Sequence, residues 1–163
     1  MSKVSSGSIT KSSDCRICDL KAEFNRQINA SSAVIFVVGD MTGSRTAGSG
    51  CERVSKAQSQ CYCTPYKQNT NGTKACKVSS TSTPDENGDF GNINGYSYLR
   101  HEFEQAKKKK KTIIIVYNST RKEANWLPSY MSGYKDDAKP FWKYDASGKK
   151  VGDYAYIKEV LGF

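Results

Sequence analysis

The sequence predicts an α/β fold, a parallel sheet flanked by helices and interrupted by a long polar insertion, and three observations carry that expectation. Two short apolar runs, Ala33–Val38 (AVIFVV) and Thr112–Tyr117 (TIIIVY), have the length and β-branched content of strands buried on both faces. Each run follows a segment whose apolar residues recur at helical spacing. Between them, from Thr42 to about Gly95, Gly, Ser, Thr and Asn dominate and apolar periodicity disappears. A stretch that long without structure of its own reads as an insertion over the carboxyl edge of the sheet. A helical crossover between two strands is right-handed and makes them parallel.

The elements follow in order. Ser12, Ser13 and Asp14 can cap a first helix, in which Ile17, Leu20, Phe24 and Ile28 form one apolar face. Asn29-Ala30-Ser31-Ser32 ends it, and the first strand leads into Gly39-Asp40. The insertion is expected to hold a short helix near Gly50–Ser59 and a hairpin. A second helix runs from about Tyr96 to Lys108, with Leu99, Phe103 and Ala106 as its buried stripe. After the second strand, Trp126-Leu127-Pro128 closes a short helical or turn segment. Ala146-Ser147-Gly148 is the turn of a hairpin between Phe141–Tyr144 and Lys149–Val151. Asp153 caps a last helix with Tyr156, Ile157 and Val160 inward and Gly162 as its stop. The whole chain, 1–163, is expected to be one domain with its insertion at about 43–95.

Composition narrows the class. A chain of 163 residues suits one core. No apolar run approaches the ~20 residues that cross a bilayer, and MSKVSSGSITKSSDC lacks a signal-peptide stretch, so a cytoplasmic location and no membrane partner are expected. On that expectation the N-x-S/T sequences at Asn29, Asn71 and Asn118 are chance matches. The formal charge is +9, with five positive charges in the run Lys107–Lys111. Cations are favoured at a helix C-terminus, so this run reads as a solvated helix end rather than a nucleic-acid interface. Of the six cysteines, Cys15-x-x-Cys18 and Cys61-x-Cys63 match zinc knuckles poorly. Reduced thiols packed as small apolar groups are the simpler reading, with zinc on Cys51, Cys61, Cys63 and Cys76 as its competitor.

No P-loop is present, and no G-x-G-x-x-G follows a strand. His101 is the only histidine, which leaves no ready Ser-His-Asp or Cys-His site. With Leu99 at zero on a helical wheel, Phe103 lies at about 40° and Ala106 at about 340°. Glu102 falls at about 300°, on the border of the stripe, while Glu104 (about 140°) and His101 (about 200°) fall on the polar side. A carboxylate on such a border can be desolvated in a cleft, or it can pair with a lysine. Ligands of open α/β sheets bind outside the carboxyl ends of the strands, which brings in Gly39, Asp40 and Asn118.

Ser32–Thr42 (SAVIFVVGDMT), the helix Tyr98–Ala106 (YLRHEFEQA) and Thr112–Val116 (TIIIV), with the helix from Ser12 to Ile28 ahead of them, resemble the TIR-like family. The nearer likeness is to the branch that includes the TIR protein of bacterial Thoeris anti-phage defence. The resemblance covers roughly residues 12–120. It implies a flavodoxin-like sheet and cleavage of NAD between nicotinamide and ribose, after which some members cyclise the ADP-ribose into a signal for an effector. It implies Glu102 as the catalytic glutamate and adds Thr42 and Tyr98 to the substrate-binding set of Gly39, Asp40 and Asn118. NAD is then a substrate and no cofactor or metal is called for, because nicotinamide leaves as a neutral base. Two features depart from the family pattern. MSKVSSGSI is a poor opening strand, and the insertion is longer than the usual loop. The competing functions are a non-catalytic module that senses a nucleotide or assembles with itself or an effector, and, ranked last, a nucleic-acid binder.

Overall fold

The computed structural model describes residues 17–49 and 95–163. The described residues form two compact units, 17–31 with 46–49 and 95–109, and 32–45 with 110–163.

The first unit is built on two helices, α1 (Ile17–Ala30) and α2 (Tyr98–Lys108). Ser97 caps α2 by accepting a hydrogen bond from the Arg100 backbone N–H at 3.3 Å. Lys107 and Lys108 occupy its last turn, where the helix dipole favours cations. Just beyond the end, Lys110 has φ 52°, a left-handed conformation usually left to glycine. Leu20 and Ile28 of α1 are buried, as are Phe103 and Ala106 of α2. Polar residues share the contact. His101 Nε2 meets Asn25 Oδ1 at 2.8 Å, and Gln105 Nε2 donates to Asn29 Oδ1 at 2.9 Å. Both bonds span 76 residues, and each helix advances by four residues between them, so α1 and α2 run side by side in the same direction. The Phe24 and Tyr98 rings meet edge to face at 5.6 Å. Gly48 has φ +92°, and a Cβ there would stand 2.6 Å from Tyr98 Cδ1. This glycine is therefore required both by its backbone and by the ring above it.

His101 corrects the expectation of a surface histidine. It is only 3% exposed. The wheel measured position against one apolar stripe, whereas α2 also sets its His101–Gln105 side against polar positions of α1.

The second unit carries the sheet. Strand β1 (Ala33–Val38) pairs in parallel with β2 (Thr112–Tyr117), in the register Ala33↔Thr112 through Val38↔Tyr117. A two-residue strand, β3 (Lys139–Pro140), pairs in parallel with the end of β2, giving the order β1-β2-β3. The fold class is thus mixed α/β with a three-stranded parallel sheet. A hairpin of β4 (Trp142–Tyr144) and β5 (Lys150–Gly152) follows, and α3 (Ala155–Leu161) ends the unit. The hairpin turn is organised by Asp145, whose Oδ1 accepts from the Ser147 and Lys149 backbone N–H groups and from Ser147 Oγ. These bonds hold the Asp145 carboxyl below its ordinary range. Helix α3 opens near Asp153, which accepts from the Ala155 N–H at 3.3 Å, and stops at Gly162 in the left-handed conformation. Two 3-10 turns, Ala124–Trp126 and Ser129–Tyr134, precede β3.

Helix α3 covers one face of β2. Ile114, Val116 and Ile157 form a cluster flanked by Phe141, Tyr156 and Leu161. The same face of β1 is bare, with Ile35 43% and Val37 55% exposed, while Phe36 and Val38 on the opposite face are buried. This corrects the expectation that AVIFVV is buried on both faces. A helix of seven residues has apolar side chains enough for one strand, and β1 is an outer strand among the described ones. The expected short helix and hairpin of the insertion lie outside the described residues.

Candidate functional site

The residues singled out by sequence divide between the two units. Glu102 and Tyr98 stand one turn apart on α2, in the first unit. Gly39, Asp40, Thr42 and Asn118 lie in the second, at the carboxyl ends of β1 and β2.

Glu102 is partly buried, and burial raises its carboxyl from 4.5 to about 7. Desolvation alone accounts for the rise, since taking a carboxylate out of water penalises its charged form. Among the described residues no lysine or arginine forms an ion pair with it. Glu104, two residues on, contrasts with it, pairing with Lys107 at 3.7 Å with its side chain 34% exposed. A desolvated carboxyl near neutrality can exchange a proton or face a developing positive charge, and a solvated pair such as Glu104–Lys107 does neither. Tyr98 belongs to the packing of the first unit, with its ring against Phe24 and Gly48.

At the sheet edge the chain turns sharply after β1. The Gly39 N–H donates to Thr42 Oγ1 at 2.7 Å, and the Thr42 N–H donates to the Gly39 carbonyl at 3.0 Å. Gly39 and Thr42 are therefore brought together, with Thr42 at the start of a 3-10 turn, Thr42–Ser44. Asp40 is exposed, and its Oδ1 accepts from the Met41 N–H at 2.9 Å. The Asn118 N–H continues the ladder to the Val38 carbonyl at 2.8 Å. Its side-chain Oδ1 accepts from Trp142 Nε1 at 2.7 Å. Trp142 was not foreseen as part of this edge. Its ring also meets Phe141 edge to face at 4.8 Å and carries the Lys150 ammonium at 4.9 Å from its centroid. The sequence signal for it, an aromatic beginning a hairpin strand, is too common to pick out.

Tyr117 ends the run of β2, and nothing in the sequence sets it apart from the apolar residues before it. It is fully buried, and its hydroxyl has no hydrogen-bond partner among the described residues. Burial pushes this phenol up from its ordinary value.

Among the described residues no cluster of His, Cys, Asp and Glu is placed to hold a metal ion. Cys51, Cys61, Cys63 and Cys76, which carried the zinc alternative, lie outside the described residues, as does Cys15. No helix among the described residues is long and apolar enough to cross a membrane. Comparison with known proteins matches the chain to no family model, no curated protein and no solved structure.

Proposed function

We propose that this chain is a TIR-like enzyme of bacterial anti-phage signalling that cleaves NAD at the nicotinamide–ribose bond, with Glu102 as its catalytic residue. The reading is supported above all by one observation, the desolvated Glu102 carboxyl raised to about 7. In the reaction the bond between ribose C1′ and the nicotinamide nitrogen breaks. Its electron pair leaves with nicotinamide, which becomes neutral, and positive charge develops on the ribose ring. A carboxylate held in a poorly solvated place stabilises that charge more strongly than one in water. Near pH 7 the Glu102 carboxyl is shared between acid and carboxylate forms. A cationic substrate beside it favours the carboxylate. Attack by water completes hydrolysis, and attack by a nitrogen of the same nucleotide would instead give a cyclic ADP-ribose-type signal. Gly39, Asp40, Thr42, Tyr98 and Asn118 are the proposed nucleotide contacts.

The test is direct. Purified protein incubated with NAD is expected to release nicotinamide, and Glu102→Gln is expected to reduce release by at least ~100-fold, the scale of removing a group that acts on transition-state charge. Release undiminished in Glu102→Gln would falsify the assignment.

A further inference from the structure

Tyr117 ends β2, the middle strand of the parallel sheet, at the carboxyl end where open α/β sheets bind their ligands. Its backbone carbonyl is engaged twice. It accepts from the Phe141 N–H at 2.8 Å and from the Ser119 N–H at 2.7 Å. Its side chain lies on the same face as that of its register partner Val38, opposite the face that α3 covers at Ile114 and Val116. The side chain is 0% exposed, yet its hydroxyl meets no acceptor or donor among the described residues. A phenol buried without a partner costs about 1–3 kcal/mol, and phenylalanine has the same shape without that cost. A hydroxyl kept at such a place can take a partner that arrives from outside.

We propose that the Tyr117 hydroxyl is a ligand contact, hydrogen-bonding an oxygen or nitrogen of the bound nucleotide. The assignment rests on the nucleotide reading given above and deepens it by naming a contact that the turn residues Gly39, Thr42 and Asn118 do not supply. Two independent observations carry it, the orphaned hydroxyl and its station at the carboxyl end of the central strand. The phenol can donate one hydrogen bond and accept others, so it suits a ribose hydroxyl, a phosphate oxygen or a carboxamide.

The experiment compares the wild-type chain with Tyr117→Phe by thermal unfolding, alone and with ADP-ribose or nicotinamide as separate probes. Tyr154→Phe, which removes an exposed phenol, is the control. The expected result has two parts. Without ligand, Tyr117→Phe melts at the same temperature as wild type or higher, because an unsatisfied polar atom has gone. With ligand, its affinity for one of the two probes falls about three- to tenfold, the worth of one hydrogen bond. The probe that weakens tells which half of the dinucleotide the hydroxyl touches. Unchanged affinity for both probes overturns the assignment and leaves the enzymatic reading standing. Weakened binding together with a lower melting temperature in the absence of ligand also overturns it, since the hydroxyl then serves the fold. A wild-type chain that binds neither probe and releases no nicotinamide from NAD removes the nucleotide reading and this inference together.

Discussion

Asn25 Oδ1 and His101 Nε2 lie 2.8 Å apart in a contact where each residue is only 3% exposed. Truncating either one leaves its partner buried without that bond. Asn25→Ala is expected to lower stability by about 2 kcal/mol in urea unfolding. The double variant Asn25→Leu with His101→Leu is expected to recover part of that loss, because neither end of this hydrogen bond is then left buried without the other. Additive losses would show that the two side chains do not act as a pair.

Glu102 makes stability depend on pH in a direction opposite to most carboxylates. Its folded value, about 7, lies above the ordinary 4.5. Between those values the folded protein holds a proton that the unfolded chain has released, so stability falls as pH rises through that window. Above pH 7 the cost amounts to ~3 kcal/mol as an upper figure, at 1.36 kcal/mol per pKa unit. Glu102→Gln is therefore expected to be more stable than wild type at pH 8 and about equal to it at pH 4. Parallel stability curves across that range would contradict the desolvated carboxyl.

The same titration should govern activity. On the proposed mechanism the carboxylate form acts, so nicotinamide release is expected to rise with pH through about 7 and then level off. A rate independent of pH between 5.5 and 8.5 would show that another group, or none, sets the chemistry.

Lys110 holds a left-handed conformation, φ 52°, directly after α2. An L-residue pays about 1 kcal/mol for that region and glycine does not. Lys110→Gly is expected to stabilise the protein by about 0.5–1 kcal/mol, and Lys110→Val to destabilise it by more than that, both read from denaturant midpoints.

Gly48 meets a harder limit. With φ +92° and Tyr98 Cδ1 2.6 Å from any added Cβ, Gly48→Ala is expected to cost about 2 kcal/mol or more. In a Tyr98→Ala background the additional cost should shrink, since the steric part is gone and only the backbone strain remains. An equal cost in both backgrounds would locate the whole penalty in the backbone.

The strands were legible because six-residue runs such as AVIFVV and TIIIVY admit few other readings, and both occupy the residues expected of them. The parallel pairing followed from the helix between them. What surrounds a strand was not legible. An apolar run carries no record of which neighbour covers it, so the bare Ile35 and Val37 could not be anticipated. Strand β3 has two residues, one of them proline, and leaves no periodic signal. On α2 the wheel placed Glu102 at a border, and the structure gives it the desolvation that position allows. The wheel failed for His101 because it knows one buried stripe and α2 has a second, polar contact. Tyr117 escaped notice because an orphaned hydroxyl is a property of surroundings, not of spacing.

The two hydrogen bonds between α1 and α2 repeat after four residues on each helix, and this spacing acts as a detent. A slide of α2 by a fraction of a turn would break both of these hydrogen bonds at once. The next stop that could seat His101 on an asparagine lies four residues away, about 6 Å along the axis. Glu102 sits between the two teeth, so its axial position is indexed in steps rather than adjusted continuously.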